Sequence, residues 1–286
     1  MIIPTKIVVP TDFSATAAKA LKYALDLSNI TGASILHYHV MIPVESPFIR
    51  NAAERAQINQ NMQQQCLDQM QELLLETASV EQLSRVDNFV GEAPLHPGIL
   101  QFASEQGADA IVMGTLGAGG LREALIGSSA TRVIKHAHIP VWLVPDEDFP
   151  DSVQQIVMAA SYLPSTQLWL PQVAVLSNLL HSGLTVMHVA NTDEFSYNPT
   201  ITRESFGRFT EACKNILPDQ PVQYRLLESE GIIPALETLE QKFSFDLLVM
   251  IRQQKDFWEQ LMEKSMTRHM ACFTRRPLLL LNERVN

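Results

Sequence analysis

The chain has 286 residues, enough for two ordinary domains that each bury a core. At 46% hydrophobic and 18% charged it has the composition of a globular protein. Its net charge of −10 argues against non-specific binding to nucleic acid or to an anionic membrane surface, though a local nest of amides can still hold a small anion. Cys66, Cys213 and Cys272 are far apart and in no metal-ligand spacing, as expected of idle thiols in a reducing compartment. Met1 to Pro10 lacks the pattern of a signal peptide, and no apolar run approaches the ~18 residues that span a bilayer. A cytoplasmic location follows as the expectation.

Lys6 to Pro10 is an apolar, β-branched run and reads as a buried strand. Thr11-Asp-Phe-Ser14 is a turn, with Ser14 placed to cap a helix from Ala15 to Asn29. Ala17, Leu21, Ala24 and Leu25 give that helix its apolar stripe, and Gly32 follows its end. A second strand covers Ser34 to Met41, and a long Gln-, Met- and Leu-rich helix covers Glu54 to Thr77. Arg85 to Val90 reads as a third strand closed by Gly91, Gly98 to Gly107 as a helix and Ala110 to Met113 as a fourth strand. Ser128 to Ala137 is a helix and Val141 to Val144 a fifth strand.

The chain then repeats itself. Lys6-Ile-Val-Val-Pro10 is echoed by Gln155-Ile-Val-Met-Ala159, and Ser34 to Val40 by Gly183 to Val189, both at an offset of 149 residues. Ala108 to Met113 matches Phe245 to Met250, and Pro140 to Val144 matches Pro277 to Leu281, both at an offset of 137. Two copies of one fold are implied, joined near Pro145-Asp-Glu-Asp-Phe-Pro150: domains 1–146 and 151–286. Strands that alternate with helices and are apolar throughout indicate an α/β fold with parallel pairing and helices on both faces. The expectation is two doubly wound, Rossmann-like domains of five strands each in the order 3-2-1-4-5. A ligand crevice would then lie at the carboxyl ends of strands one and four, where Asp12 and Gly114 meet.

The segment after strand four is the chief functional signal. Gly114 and Gly117 are followed, after nine residues, by Gly127 and Ser128. Glycines let backbone approach an anion, and the amides at the start of the following helix point at its charge. Gly114 and Gly127 are both expected in a surface loop, so that valine at either should abolish ligand binding without unfolding the protein.

These residues resemble the universal stress protein family in its tandem form. Gly114, Gly117, Gly127 and Ser128 meet its nucleotide-loop pattern, and Val8-Val-Pro-Thr-Asp-Phe-Ser14 is similar to its opening strand and acidic turn. His37-Tyr-His-Val40 is similar to its second strand and Ile139-Pro-Val-Trp-Leu-Val144 to its last. The resemblance implies adenine-nucleotide binding, ATP above all and Mg2+ as a candidate companion, by Pro10, Thr11, Asp12, Val40, Met113, Gly114, Gly117, Gly127, Ser128 and Ser129. Asp12 would meet the ribose or adenine side, Val40 would offer backbone to adenine, and Gly117, Gly127, Ser128 and Ser129 would hold phosphates. It also implies a binding protein with slow hydrolysis at most. It implies an intramolecular pseudo-dimer that meets along Val141 to Val144 and Leu278 to Leu281, with further homodimerisation open. One departure is Ala130, where the family often has a second hydroxyl, with Ser129 and Thr131 beside it.

The second copy departs throughout. Asp12, Gly114, Gly117 and Gly127 become Ser161, Ile251, Gln254 and Lys264, and only Ser128 persists, as Ser265. No nucleotide is expected there. Lys264, Arg268, Arg275 and Arg276 form either an anion site or a solvated basic face. His37 and His39 share a strand face, and His188 recurs in an equivalent place, which favours structure over metal. His136 and His138 suit a helix C-terminus. Gln57 to Leu75, with Met62, Met70, Leu73 and Leu74, reads as a packed helix, with a partner surface as the alternative. No nucleophile–base pair is visible. A scaffold or chaperone-like module, or a binder of another anion, remains the alternative to nucleotide binding.

Overall fold

A computed structural model describes residues 2–44, 51–92, 95–115, 128–162, 164–252 and 275–282. Their strands and helices alternate along the chain in an α/β fold. Two compact units result, one built on residues 4–115 and 128–137, the other on 2–3 and 138–282.

The first unit contains β1 (Lys6–Thr11), α1 (Ala15–Thr31), β2 (Ser34–Val40), α2 (Ala52–Thr77), α3 (Val80–Leu83), β3 (Val86–Gly91), α4 (Leu95–Glu105), β4 (Ala110–Gly114) and α5 (Ser128–His136). Its strands lie in the order β3-β2-β1-β4, with β1 parallel to both β2 and β4. The run Ile7-Val-Val9 is fully buried, as a strand covered on both faces requires. Ser14 caps α1 by accepting from the Ala17 amide at 3.2 Å. At the other end Gly32 adopts φ 76° and its amide donates to the Ser28 carbonyl, the left-handed stop that glycine makes without a Cβ clash.

The helix α3 stands where the sequence reading placed no element. Its signal was the pair Ser79 and Gln82, the Gln82 Oε1 accepting from the Ser79 amide at 2.8 Å. The start of α4 at Leu95 lies three residues before the expected Gly98. Pro97 sits in its first turn, a place that lacks an intrahelical acceptor in any case.

The second unit contains β5 (Val141–Val144), β6 (Gln155–Ala160), α6 (Pro164–Leu179), β7 (Gly183–Asn191), α7 (Pro199–Ile216), β8 (Val222–Ser229), α8 (Ile232–Lys242), β9 (Leu247–Arg252) and β10 (Leu278–Asn282). The order β8-β7-β6-β9-β10 is the expected 3-2-1-4-5. At its end β10 pairs with β5 in antiparallel fashion, Leu279 opposite Trp142. The two apolar strands expected to meet therefore do so, and β5 is counted in the second compact unit although it precedes residue 146.

The repeat is also one of contacts. Asp109 accepts from the amides of Thr5 and Lys6 at 3.0 Å, and Asp246 from those of Gln154 and Gln155 at 2.8 and 3.0 Å. In each copy this carboxylate pins the start of the first strand beside the fourth.

Candidate functional site

The expected crevice is to be sought at the turn that follows β1. The Asp12 Oδ1 accepts from the Ser14 amide at 3.1 Å and from the Ser14 hydroxyl at 2.6 Å, an Asx turn. Between them Phe13 takes φ 63°, in the left-handed region that non-glycine residues seldom adopt. The Thr11 hydroxyl accepts from the Phe13 amide at 3.1 Å, and the Phe13 ring lies 4.6 Å from that of His39. Sequence reasoning missed Phe13, because no sequence signal announces a positive φ on an aromatic residue.

The backbone direction along β2 is set by its partners. Ser34 donates to the Thr5 carbonyl in the β1 direction, whereas Ile35 and Met41 donate to Arg85 and Gly91 in the β3 direction. Even-numbered residues of β2 therefore turn their backbone toward β1. Val40 is one of them, and the register with β1 ends one step earlier, at Thr11 opposite His39. Its carbonyl points toward β1, one residue beyond the last paired position.

On the other side of β1 the partner strand is β4. The Asp109 amide donates to the Lys6 carbonyl at 3.0 Å, so Lys6, Val8 and Pro10 face β4. Pro10 has no N–H to offer there. The register with β4 sets Ile7 opposite Ala110 and Val8 opposite Ile111.

Gly114 ends β4 directly against α1. A Cβ on it would come within 2.7 Å of the Thr16 Cγ2 and 3.1 Å of the Thr16 backbone. This corrects the expectation that Gly114 is a surface-loop residue, since it is a close-packing position where valine costs stability. Thr16 is the second residue that sequence reasoning missed. Beside it, Thr115 is 2% exposed, and its hydroxyl has no hydrogen-bond partner among the described residues.

Of the expected site residues, Pro10, Thr11, Asp12, Met113 and Gly114 thus share adjacent strand ends, with Val40 one strand away. Met113 and Thr11 are buried, at 5% and 4% exposure, which leaves mainly their backbone to meet a ligand. Ser128 opens α5 and Ser129 follows it, half-buried. Ala130 is 2% exposed, so the position where the family often has a hydroxyl is a core position here. Gly117 and Gly127 lie outside the described residues, as do Gln254, Lys264, Ser265 and Arg268.

The histidines are structural. His37 Nδ1–H donates to Asn88 Oδ1 at 2.9 Å, and burial above all lowers its pKa to about 4. His39 Nδ1–H donates to the Thr11 carbonyl at 2.8 Å, and His188 repeats that bond to Ala160 at 2.9 Å. Tyr162 stacks on His188 at 3.9 Å, in the place where Phe13 packs tilted against His39 at 4.6 Å. Among the described residues no group of three or more His, Cys, Asp or Glu side chains is arranged to hold a metal ion. None of the described helices is long and apolar enough to cross a membrane.

In the second unit Ser161 donates its amide to the Thr166 hydroxyl at 3.2 Å. The Arg275–Arg276 pair, read as anion site or solvated face, lines a cavity of about 680 Å³ together with Glu240 and Lys242. The Glu240 Oε2 is 4.0 Å from the Arg275 Nε. Burial raises the Glu240 pKa, while Arg275 and Arg276 oppose that rise.

Residues 4–145 match the family model of the universal stress protein family. A universal stress protein of Methanocaldococcus jannaschii is 35% identical over 150 residues, which cover 49% of this chain and 81% of that protein. Among solved structures, a universal stress protein of Archaeoglobus fulgidus aligns over 98% of this chain and 96% of its own, with TM-score 0.65 and 14% identity. A putative universal stress protein of Pseudomonas aeruginosa aligns over 98% of this chain and 93% of its own, with TM-score 0.61 and 15% identity. The structural likeness speaks to the fold of the whole chain, and the sequence match to the descent of its first half. The chain belongs to the universal stress protein family.

Proposed function

We propose that the first unit binds an adenine nucleotide at the carboxyl ends of β1 and β4, and that the protein works as a cytoplasmic, nucleotide-responsive stress protein and not as an enzyme. The observation that supports the reading is the approach of Gly114, at the end of β4, to Thr16 at the start of α1, directly after the Asp12 turn. α5 supplies a helix N-terminus, whose free amides and dipole favour phosphate. The residues fit such a ligand. The Val40 carbonyl, one residue beyond the last paired position, suits the amino edge of a base, and the buried Thr115 hydroxyl has hydrogen-bonding capacity to spare among the described residues. In this reading the response is a change of conformation or partner, with Gly117 and Gly127 completing the phosphate loop.

The test is to titrate the intact chain with ATP by calorimetry, and to analyse the small molecules released on denaturing freshly purified protein. About one adenine nucleotide per chain is expected, because the second copy has Ile251 and Ser161 where the first has Gly114 and Asp12. Two per chain would overturn the assignment to the first unit alone, and none would overturn the reading. Gly127→Val is expected to abolish binding. Asp12→Ala is expected to weaken adenosine more than tripolyphosphate, and equal losses would remove Asp12 from the nucleoside side.

A further inference from the structure

The cavity of about 680 Å³ in the second unit lies where α8 ends and where β9 and β10 begin, the far end of those strands from Ile251 and Ser161. Its wall carries both signs of charge, with Glu240 beside Lys242, Arg275 and Arg276. At the offset of 137 the first copy has Ala103, Glu105, His138 and Ile139 in these places. Ala103 is 2% exposed, so Glu240 sets a carboxyl group at a position that the sibling helix gives to the core. Taking a carboxylate out of water is costly unless hydrogen bonds replace the water. The Glu240 side chain is 15% exposed, yet its Oε1 is buried without a partner. Its Oε2 stands 4.0 Å from the Arg275 Nε, an ion-pair separation too long for a hydrogen bond. The side chains of Arg275, Arg276 and Lys242 likewise make no hydrogen bond among the described residues. Burial raises the Glu240 pKa, as befits a carboxyl group short of donors.

We infer that this cavity is a site for a small zwitterion of the α-amino acid class, whose ammonium group meets Glu240 and whose carboxylate meets Arg275 and Arg276, with its side chain against Phe243. An acceptor without donors and donors without acceptors share one wall, and a ligand that brings one of each satisfies both. The guanidinium fork matches a carboxylate through parallel hydrogen bonds. A simple anion would meet the repulsion of Glu240, and a simple amine that of three cations. Phe243, half-buried directly after α8, adds an apolar surface to the wall. The inference is independent of the nucleotide reading, which concerns the carboxyl ends of strands in the first unit.

The experiment titrates the full chain with L-phenylalanine, with phenylpropionate, which lacks the ammonium group, and with phenethylamine, which lacks the carboxylate. The amides of Lys242, Phe243 and Ser244, followed by NMR, report on the cavity. L-Phenylalanine is expected to shift them saturably, and each analogue to bind roughly ten-fold more weakly, the loss of one charge-assisted contact. Glu240→Gln is expected to bring L-phenylalanine down to the affinity of phenylpropionate. Arg275→Gln combined with Arg276→Gln is expected to bring it down to that of phenethylamine. Unshifted amides overturn the inference. So does equal affinity for L-phenylalanine and phenylpropionate, which would mark a plain anion site, and so do arginine variants that bind as the wild type does. The Arg275 side chain is 64% exposed, so its replacement leaves the fold in place and decides the matter if Glu240→Gln does not fold. ATP titrated into the same sample tests the nucleotide reading separately, and either reading can fail alone.

Discussion

Gly114 shows how a residue chosen for one reason can be needed for another. The sequence reading gave it to the anion, and the structure gives the space of its absent Cβ to Thr16. Gly114→Val is therefore expected to cost about 1–3 kcal/mol in a urea titration, the usual cost of overpacking a filled site. Thr16→Ser, which takes the residue that the second copy has at Ser165, should recover part of that loss. No recovery in the double variant would mean that the backbone of Thr16, and not its methyl group, sets the limit. His37 gives a second test at this scale. Burial holds its folded pKa at about 4, below the ordinary histidine value of 6.5. As pH falls below 6.5 the unfolded chain takes up a proton that the folded chain refuses. Stability is therefore full above 6.5 and drains toward pH 4, by about 3 kcal/mol from this group. Denaturation midpoints at several pH values should show that slope, and His37→Leu should flatten it.

At the scale of elements, the two copies act as controls for each other. The second has lost the glycines of the phosphate loop yet keeps the histidine that bonds the end of its first strand and the aromatic ring upon it. That pairing is therefore architecture, and His39 needs no ligand to explain it. The strand-starting carboxylates tell the same story. Asp109→Ala is expected to destabilise the first unit by about 2 kcal/mol, because amides of two residues lose a charged acceptor. Chemical denaturation checks the size of the loss. Ser14→Ala is expected to cost about 1 kcal/mol through the lost cap of α1. It also frees one partner of Asp12, so the circular-dichroism melt should be read beside nucleotide affinity. Strands and long helices were legible because apolar periodicity fixes them locally. The short α3 was not, because a four-residue helix has no period to read.

For the whole molecule, the pairing of β5 with β10 decides where the chain can be cut. Leu278, Leu279, Leu280 and Leu281 are all at most 4% exposed, and β5 covers one edge of the strand they form. A fragment that starts at residue 151, where the sequence repeat divides, would leave that edge bare. Exposed, flat, apolar edges pair with other chains. The fragment 151–286 is expected to self-associate more strongly in sedimentation experiments than 138–286. Equal behaviour of the two would show that β5 is dispensable to the second unit.

The sequence by itself determined the α/β class, the repeat of strand contacts and the strand order. Each of these depends on local pattern, namely period, punctuation and glycine spacing, which the chain carries wherever it folds. Only the tertiary structure decided that Gly114 abuts Thr16, that Phe13 stands at positive φ and that β5 pairs with β10. Those are relations between segments far apart in the chain. They are set by which backbone groups find partners and which side chains find room once the segments are packed together.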